Sequence, residues 1–241
     1  MKKFWRTVNE VIKQSDIILE VIDARFPELT RNIEIEDKIK GKHLVIVVNK
    51  CDLVEKSTME DYAKKYKGVI FVSAKDRLGT TILKKKIIGL AKKPQNIVGI
   101  VGYPNTGKSS IINSLAGRRA AKTSPQSGFT KGKQLIKMTR SVSLLDTPGV
   151  LPYKEKDEIK HALTSSKDFT RIKDPDIVAL ELIELKKERI KKHYQIDCDD
   201  SEDIFEQIGI KLKKLKKAGE IDEKATAYAI LKDWQHGKIK V

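Results

Sequence analysis

The sequence predicts an α/β fold with a mostly parallel sheet over residues 1–150, followed by a small all-helical C-terminal domain over residues 151–241. Six short apolar runs lie before Gly149, and helix-compatible segments separate several of them. No further β-rich run follows Gly149. Strands that alternate with helices are typical of α/β sheets, which place their functional residues at strand ends.

The predicted strands are short runs rich in Ile, Leu and Val, and their length suits buried strands. They span residues 17–22, 44–48, 69–72, 97–101, 135–138 and 142–145. Phe4, Val8, Val11 and Ile12 recur at helical spacing, so we expect a first helix before the first strand. Further helices are predicted over residues 57–67, 79–90 and 110–115.

Helical patterns dominate the C-terminal domain. Asp174-Pro175 is a helix-start signal and predicts a helix over residues 177–191. A second helix is expected over residues 204–218, ending at Gly219, and a third from residue 222 to about 234. In the second, an apolar stripe at 208, 212 and 215 predicts that Lys213, Lys214 and Lys217 face outward. We expect the domain boundary between residues 150 and 175.

The charge of the chain indicates an anionic partner. The net charge is +16, and residues 1–150 carry 29 Lys and Arg against 14 Asp and Glu, a net +15. No acidic residue lies between Asp76 and Asp146, where 14 basic residues stand. Any single lysine there is compatible with a solvated surface, but the whole stretch favours a surface that binds a polyanion such as RNA.

Other classes of protein are disfavoured. No apolar run approaches the roughly 20 residues that a membrane helix needs, so we expect no membrane partner. Cys51 and Cys198 are too few for a disulfide framework and lack the paired spacing of a zinc site. A reducing, cytoplasmic setting is the expectation.

Residues 102–109, GYPNTGKS, match a phosphate-binding loop and stand between a predicted strand and a predicted helix. Glycines let such a loop wrap closely, so that its N–H groups and the start of the following helix face phosphate. The lysine reaches the β- and γ-phosphates, and the serine hydroxyl offers a ligand to Mg²⁺. The residues expected to contact phosphate are Asn105, Thr106, Gly107, Lys108, Ser109 and Ser110.

Asp146-Thr147-Pro148-Gly149 follows the last predicted strand and adds a carboxylate to this chemistry. Asp146 can hold a water bound to Mg²⁺, and the Gly149 N–H can meet the γ-phosphate. Thr130, in the loop between the two motifs, can complete the metal shell with Ser109, although a plain polar loop residue is the alternative. Lys108, Thr130 and Gly149 are therefore the candidate catalytic residues.

Asn49-Lys50-Cys51-Asp52 follows the second predicted strand and suits guanine recognition. The Asp52 carboxylate can accept hydrogen bonds from N1–H and from the exocyclic amine, and adenine offers no such pair of donors. The Lys50 stem can cover the base. Ser73, Ala74 and Lys75 follow the third strand and can offer an N–H to the guanine carbonyl. These six residues, Asn49, Lys50, Asp52, Ser73, Ala74 and Lys75, form the expected guanine site.

In this set of motifs, the base-recognising pair precedes the phosphate loop. This order resembles the circularly permuted P-loop GTPases of the YlqF/YawG family, which assist assembly of the large ribosomal subunit. Asp23-Ala24-Arg25-Phe26-Pro27 is similar to a segment of that family, and the C-terminal stretch from Gly219 to Lys238 is similar to its helical, RNA-binding domain. The resemblance implies GTP and GDP, ribosomal RNA and a large-subunit precursor as partners.

The chain departs from the family pattern and from signalling GTPases at two places. The Phe-Pro-Gly-His-like segment near the start of bacterial members is missing, so no catalytic histidine is assigned. Val150 stands where many signalling GTPases have a glutamine that orients water. The resemblance therefore implies slow turnover, aided by the ribosome and by K⁺ near Asn105, for which a loop-stabilising role is the alternative. An RNA-binding scaffold that hardly hydrolyses its nucleotide is the rival function.

Overall fold

The computed structural model describes residues 2–39, 41–66, 68–117, 120–121, 134–146, 157–217 and 219–240. Its contacts divide the chain into two compact units, Met1–Lys156 and Asp157–Val241. Each unit has its own secondary structure: the first holds the sheet and the second is built from helices. No helix within the described ranges is both long enough and apolar enough to cross a membrane.

The strands described in the first unit form one six-stranded sheet in the order β3-β2-β1-β4-β6-β5. They are β1 (Ile17–Asp23), β2 (His43–Asn49), β3 (Ile70–Val72), β4 (Asn96–Val101), β5 (Gln134–Lys137) and β6 (Val142–Asp146). All neighbouring strands are parallel except β5, which runs antiparallel to β6. The mostly parallel α/β sheet expected from the sequence is confirmed.

Strand β1 forms the middle of this sheet, and all seven of its residues are buried. Its side chains alternate between two apolar clusters: Ile17, Leu19 and Val21 pack in one, and Ile18 packs in the other. A strand that is covered on both faces needs a nearly continuous apolar run, and the sequence of β1 shows such a run. The exceptions, Glu20 and Asp23, are buried polar residues.

Helices cover both faces of the sheet. They are α1 (Lys2–Gln14), α2 (Pro27–Thr30), α3 (Ile33–Lys38), α4 (Lys56–Lys65), α5 (Thr80–Leu90) and α6 (Lys108–Ala116). Leu83 of α5 and Ile111 of α6 pack in the cluster that holds Leu19, whereas Val11 of α1 packs in the cluster that holds Ile18. The short helices α2 and α3 were not anticipated, because neither is long enough to show a helical period.

Helix α1 lies close against β4 at Gly99. A Cβ atom added at Gly99 would stand 2.3 Å from the Ser15 Oγ and 2.6 Å from a Val11 methyl group. The Lys42 ammonium donates hydrogen bonds to the Ile12 and Ser15 carbonyls and so satisfies the C-terminal end of α1. The first helix is therefore fixed to the sheet.

The second unit contains α7 (Glu158–Leu163), α8 (Pro175–Leu185), α9 (Lys187–Tyr194), α10 (Ser201–Lys211) and α11 (Glu223–Gln235). Its core includes Trp234, which is fully buried and donates from Nε1 to the Leu163 carbonyl at 2.8 Å. The neighbouring Gln235 donates to the Ala162 and Lys167 carbonyls. These bonds hold the turn after α7 against α11.

Two helix predictions for this unit are wrong. The helix expected over residues 177–191 is two helices, α8 and α9, separated at Lys186. The helix expected to reach residue 218 ends at Lys211, Lys213 adopts a left-handed conformation (φ 53°), and Leu215 pairs with Ile221. The stripe through Leu212 and Leu215 is therefore not helical, because a local hairpin-like turn replaces the last two turns of the helix.

Candidate functional site

Five strand ends meet at one edge of the sheet, because β1, β2, β3, β4 and β6 are parallel. The residues at or just beyond these ends are Asp23, Asn49, Ser73, Gly102 and Asp146. Four of the five belong to the motifs that the sequence singled out for nucleotide chemistry. The fold thus gathers motifs that are far apart in the chain at a single edge.

The phosphate-binding loop runs from the end of β4 to α6 and depends on two glycines. Gly102 has φ 144°, and a Cβ atom there would stand 2.3 Å from the Val21 carbonyl oxygen. Gly107 has φ 94°, and a Cβ atom there would stand 2.1 Å from the Asn49 Nδ2. Only glycine fits such positions without strain. Helix α6 begins at Lys108, so the N–H groups of its first turn, including those of Ser109 and Ser110, lie at its N-terminal end.

Lys108 folds over the loop that precedes it. Its ammonium donates to the Gly102 carbonyl at 3.1 Å and to the Tyr103 carbonyl at 2.6 Å. Only 6% of the residue is exposed, and burial lowers the pKa of Lys108 to about 8, although Asp146 opposes the shift. Thr106 is fully buried, and its hydroxyl donates to the same Tyr103 carbonyl at 3.0 Å.

Asn49 joins the two halves of the site. Its Nδ2 donates to the Thr106 carbonyl in the phosphate loop at 2.7 Å, and its Oδ1 accepts from the Ala74 N–H at 3.1 Å. The residue is 2% exposed. The side chain thus links its own segment to the phosphate loop and to the turn after β3. The role of Asn49 in guanine binding stays a prediction.

Lys50 and Asp52 follow Asn49 and differ in backbone conformation and in side-chain contacts. Lys50 is left-handed (φ 64°), and a single 3₁₀ turn, Cys51–Leu53, follows it. Its ammonium donates to Asp23 Oδ2 at 2.7 Å. Asp52 is half-buried, and within the described residues no hydrogen bond reaches its carboxylate. That carboxylate is open to a ligand with a pair of N–H donors.

The sequence points to Asp23 only through the family resemblance, and none of the nucleotide motifs includes it. It is 1% exposed, and it accepts from the Arg25 side chain as well as from Lys50. Burial by itself would raise the pKa of Asp23, but Arg25 and Lys50 outweigh burial and hold that pKa far below its usual range. The signal that could have found this residue is a charged side chain at the end of a largely apolar strand.

Residues 73–78 form a tight turn after β3. Ser73 is fully buried, and its hydroxyl bonds both the side chain and the N–H of Asp76. Ser114 of α6 donates to the Ala74 carbonyl at 2.9 Å. Lys75 is exposed beside this turn. The expected guanine residues Ser73, Ala74 and Lys75 therefore lie next to the phosphate-loop helix, and the Ala74 N–H already bonds Asn49.

The expected metal ligands are only partly described. The Ser109 Oγ lies 3.4 Å from Asp146 Oδ2, and Asp146 is 2% exposed at the end of β6. A hydroxyl beside a carboxylate forms the all-oxygen set that Mg²⁺ prefers, so the described residues fit this metal. Thr130 and Gly149 lie outside the described residues. Asn105 is half-buried in the phosphate loop and left-handed (φ 59°).

Two families match the sequence. The family described as RsgA GTPase matches residues 24–154, more than half of the chain. The family described as 50S ribosome-binding GTPase matches residues 97–216. The two matches together cover the base-recognising segment, the phosphate loop and part of the helical unit.

Relatives from archaea, plants and fungi are similar over nearly the whole chain. The GTP-binding protein MJ1464 of Methanocaldococcus jannaschii is 41% identical over 245 residues, which cover 97% of this chain and 65% of MJ1464. Nuclear/nucleolar GTPase 2 of Oryza sativa subsp. japonica is 36% identical, with 99% of this chain and 47% of the relative covered. Nucleolar GTP-binding protein 2 of Yarrowia lipolytica is 33% identical, with 99% and 50% covered. The chain therefore spans about half to two thirds of these relatives.

Two solved structures of YlqF from Thermotoga maritima share the fold. The GDP-bound structure has a TM-score of 0.72 at 28% identity and covers 97% of this chain and 95% of that one. The GNP-bound structure has a TM-score of 0.70 at 28% identity, with 99% and 95% covered. Since the motif order, the sheet and these matches agree, the chain belongs to the RsgA GTPase family and is a circularly permuted GTPase of the YlqF type.

Proposed function

We propose that the protein is a GTP-binding and GTP-hydrolysing switch that assists assembly of the large ribosomal subunit by binding ribosomal RNA. The observation that carries nucleotide binding is the position of Asn49. One buried carboxamide bonds the phosphate loop at Thr106 and the base-side turn at Ala74. A base pocket and a phosphate cradle that are bonded together in this way can bind one nucleotide as a unit.

The base half of the site selects guanine. Asp52 accepts from N1–H and the exocyclic amine, and a base without these donors leaves the carboxylate unpaired, at a cost on the order of several kcal/mol. The stem of Lys50 covers the base. The turn formed by Ser73, Ala74 and Lys75 lies on the side of the guanine carbonyl. Asn49 fixes the position of this turn.

The phosphate half uses the start of α6. Lys108 leaves the loop carbonyls and reaches the β- and γ-phosphates, where its charge stabilises the transferred group. The N–H groups along this loop and helix start provide the remaining donors. The residues in this set are Asn105, Thr106, Gly107, Lys108, Ser109 and Ser110.

Magnesium fits the oxygens beside this cradle. Ser109 and Asp146 lie together at the end of β6, and Thr130 completes the set by its place in the sequence. When bound, Mg²⁺ supplies positive charge to the phosphate oxygens. Gly149 offers its N–H to the γ-phosphate, and Val150 cannot orient water, so intrinsic turnover is slow. Asn105 is the candidate contact for K⁺.

Ribosomal RNA is the partner that the charge favours. Residues 1–150 carry +15 of the +16 net charge, and one of the matching families is described as ribosome-binding. The helical unit, residues 151–241 in the sequence-based division, is the second proposed RNA-binding part. The cytoplasmic location stays a prediction, because plant and fungal relatives are named as nuclear or nucleolar proteins.

Single-turnover hydrolysis of GTP tests the switch against the scaffold alternative. We expect slow release of phosphate by the protein alone and faster release when large ribosomal subunits or their precursors are added. Lys108→Ala is the control and should bind and hydrolyse little GTP, because it removes the charge at the phosphates. Tight GTP binding without any hydrolysis, with or without ribosomal particles, would instead support a scaffold with a structural nucleotide.

A further inference from the structure

We propose, resting on the nucleotide binding proposed above, that Asp23 and Arg25 are positioning residues that fix the Lys50 side chain over the guanine nucleotide. Neither residue belongs to the motifs that contact phosphate or guanine. The Asp23 carboxylate bonds Lys50 of the base-recognising segment, and the Arg25 guanidinium bonds Asp23. Both residues would therefore act on the ligand only through Lys50. The nucleotide site thus extends to the end of the central strand β1.

The Asp23 carboxylate is almost fully occupied by this arrangement. Oδ1 accepts from the Arg25 backbone N–H at 3.0 Å and from its Nε at 3.1 Å, and Oδ2 accepts from Nη2 at 2.8 Å. Oδ2 also accepts from Lys50 Nζ at 2.7 Å. Because the planar guanidinium grips both oxygens, the carboxylate cannot rotate, and the direction of its bond to Lys50 is fixed.

The turn that carries Arg25 is itself held in place. The Asp23 N–H donates to the Thr30 hydroxyl at 2.9 Å, and that hydroxyl donates to the Phe26 carbonyl at 2.8 Å. Glu28, between them, accepts from both Lys65 and Tyr66, next to the end of α4. The contacts of Thr30 and Glu28 therefore fix the turn that carries the Asp23–Arg25 pair.

Lys50 directly follows β2 in the chain, and its side chain extends to Asp23 at the end of β1. Asp23 and Asn49 are partners in the register of these two strands, so the stem of Lys50 crosses between neighbouring strand ends. The side chain keeps 21% of its surface exposed, whereas Asp23 keeps 1%. Because Asp23 holds the ammonium, the stem of Lys50 is already ordered at the site. The lysine side chain therefore loses less conformational freedom when a base packs on its stem.

A double-mutant cycle on nucleotide affinity tests this role. The variants are Lys50→Met, Asp23→Asn and the two together, with GTP and GDP binding measured by fluorescence titration. We expect Lys50→Met and Asp23→Asn each to weaken GTP and GDP by about tenfold, as for loss of a charge-assisted contact. The double variant should be no weaker than Lys50→Met, because Asp23 acts through Lys50. The matched control is Asp16→Asn, which breaks an aspartate–lysine pair at the other end of β1.

Asp23→Asn removes the buried carboxylate that pairs with Arg25, so this variant can fail to fold. The replacement is Asp23→Asn/Arg25→Gln, which removes both buried charges together and is compared with and without Lys50→Met. Losses that add in the combined variant, or a loss as large in Asp16→Asn, would overturn the positioning role and leave GTP binding intact. If the wild-type protein binds no guanine nucleotide, or Lys50→Met binds it normally, the proposed guanine site fails instead.

Discussion

At the scale of single residues, the base-recognising segment contains a buried side chain, Asn49, and a partly exposed one, Asp52, with different contacts. Asn49 bonds backbone groups of two other loops, and Asp52 keeps its carboxylate available. Loss of a buried amide that satisfies two backbone groups costs on the order of 2 kcal/mol. Asn49 therefore maintains the shape of the site, while Asp52 is the residue proposed to select the base.

Replacing Asp52 with Asn should exchange the preferred base. An amide donates where the carboxylate accepted, so it suits the xanthine carbonyl that replaces the amine of guanine. In a competition assay, we expect weaker GTP binding and stronger binding of xanthosine triphosphate. Asp61→Asn, on the exposed surface of α4, is the control and should keep guanine. An unchanged preference in Asp52→Asn would show that another group reads the base.

The lowered pKa of Lys108 predicts that the affinity for GTP depends on pH. Burial lowers this pKa to about 8, so the amine of the empty site loses its proton as the pH rises above 8. A triphosphate favours the charged form, so binding takes up a proton there and affinity falls by up to about tenfold per pH unit. Calorimetry in two buffers should show little uptake at pH 7 and strong uptake at pH 9. Lys108→Arg, which keeps its charge, should remove the uptake.

At the scale of elements, the parallel sheet is what brings the motifs together. Parallel neighbours place their carboxyl ends at one edge, and β1 lies between the strand of the base motif and that of the phosphate loop. The permuted order of the motifs therefore changes only the connections between strands. Gly107 and Asn49, 58 residues apart in numbering, touch because β2 and β4 flank the same strand.

Strand β1 also carries a buried acid in its middle. Burial raises the pKa of Glu20 to about 8, and its Oε1 accepts from the Asn32 N–H at 2.7 Å. Below the unfolded pKa both states are protonated. Between that value and about 8 only the folded state keeps the proton, so stability falls as the pH rises through this window.

Glu20→Gln should therefore remove a pH dependence of folding. We expect the free energy of unfolding of the wild type, measured in urea, to fall relative to Glu20→Gln by roughly 1 kcal/mol per pH unit between about pH 5 and 8. The amide keeps the acceptor for Asn32 without the charge. Glu34→Gln, an exposed position on α3, should follow the wild type. Parallel curves for wild type and Glu20→Gln would contradict a protonated Glu20.

At the scale of the whole molecule, charge is distributed unevenly between the two parts. Residues 1–150 carry +15 and residues 151–241 carry +1, so we expect the sheet-containing part to provide most of the proposed attraction to RNA. In the helical part, basic side chains gather after α10 in the turn closed by Leu215 and Ile221. Lys213 and Lys217 are exposed there, although not on a helix as the sequence suggested.

Salt dependence measures how far these lysines contact RNA. Each phosphate contact releases counterions, so changing Lys213, Lys214 and Lys217 to Gln should flatten the log–log salt slope for ribosomal RNA by roughly one per lost contact. GTP binding should not change. Lys56→Gln/Lys64→Gln is the control, because these α4 lysines pair with Glu60 and Asp61. A wild-type slope in the triple variant would mark the lysines as merely solvated.

Much of the fold and of the candidate site followed from the sequence by itself. Apolar runs bounded by helical patterns predicted each of the six strands that the structure describes. The signal is clearest for β1, because a strand that is buried on both faces must be apolar along most of its length. The positions of the phosphate-loop motif and the guanine motif were also predictable, since each is a short stretch that directly follows a predicted strand. For these elements, local sequence and final structure agree.

Tertiary structure alone decided where buried polar groups find partners. Nothing local to Asn49 indicates that it bonds Thr106 and Ala74, and nothing near Asp23 indicates that Lys50 will reach it. The early end of α10 was likewise hidden, because its lysines and leucines are compatible with a longer helix. Helical period and propensity act over a few residues, whereas a buried donor or acceptor is satisfied by whichever group the fold brings near it.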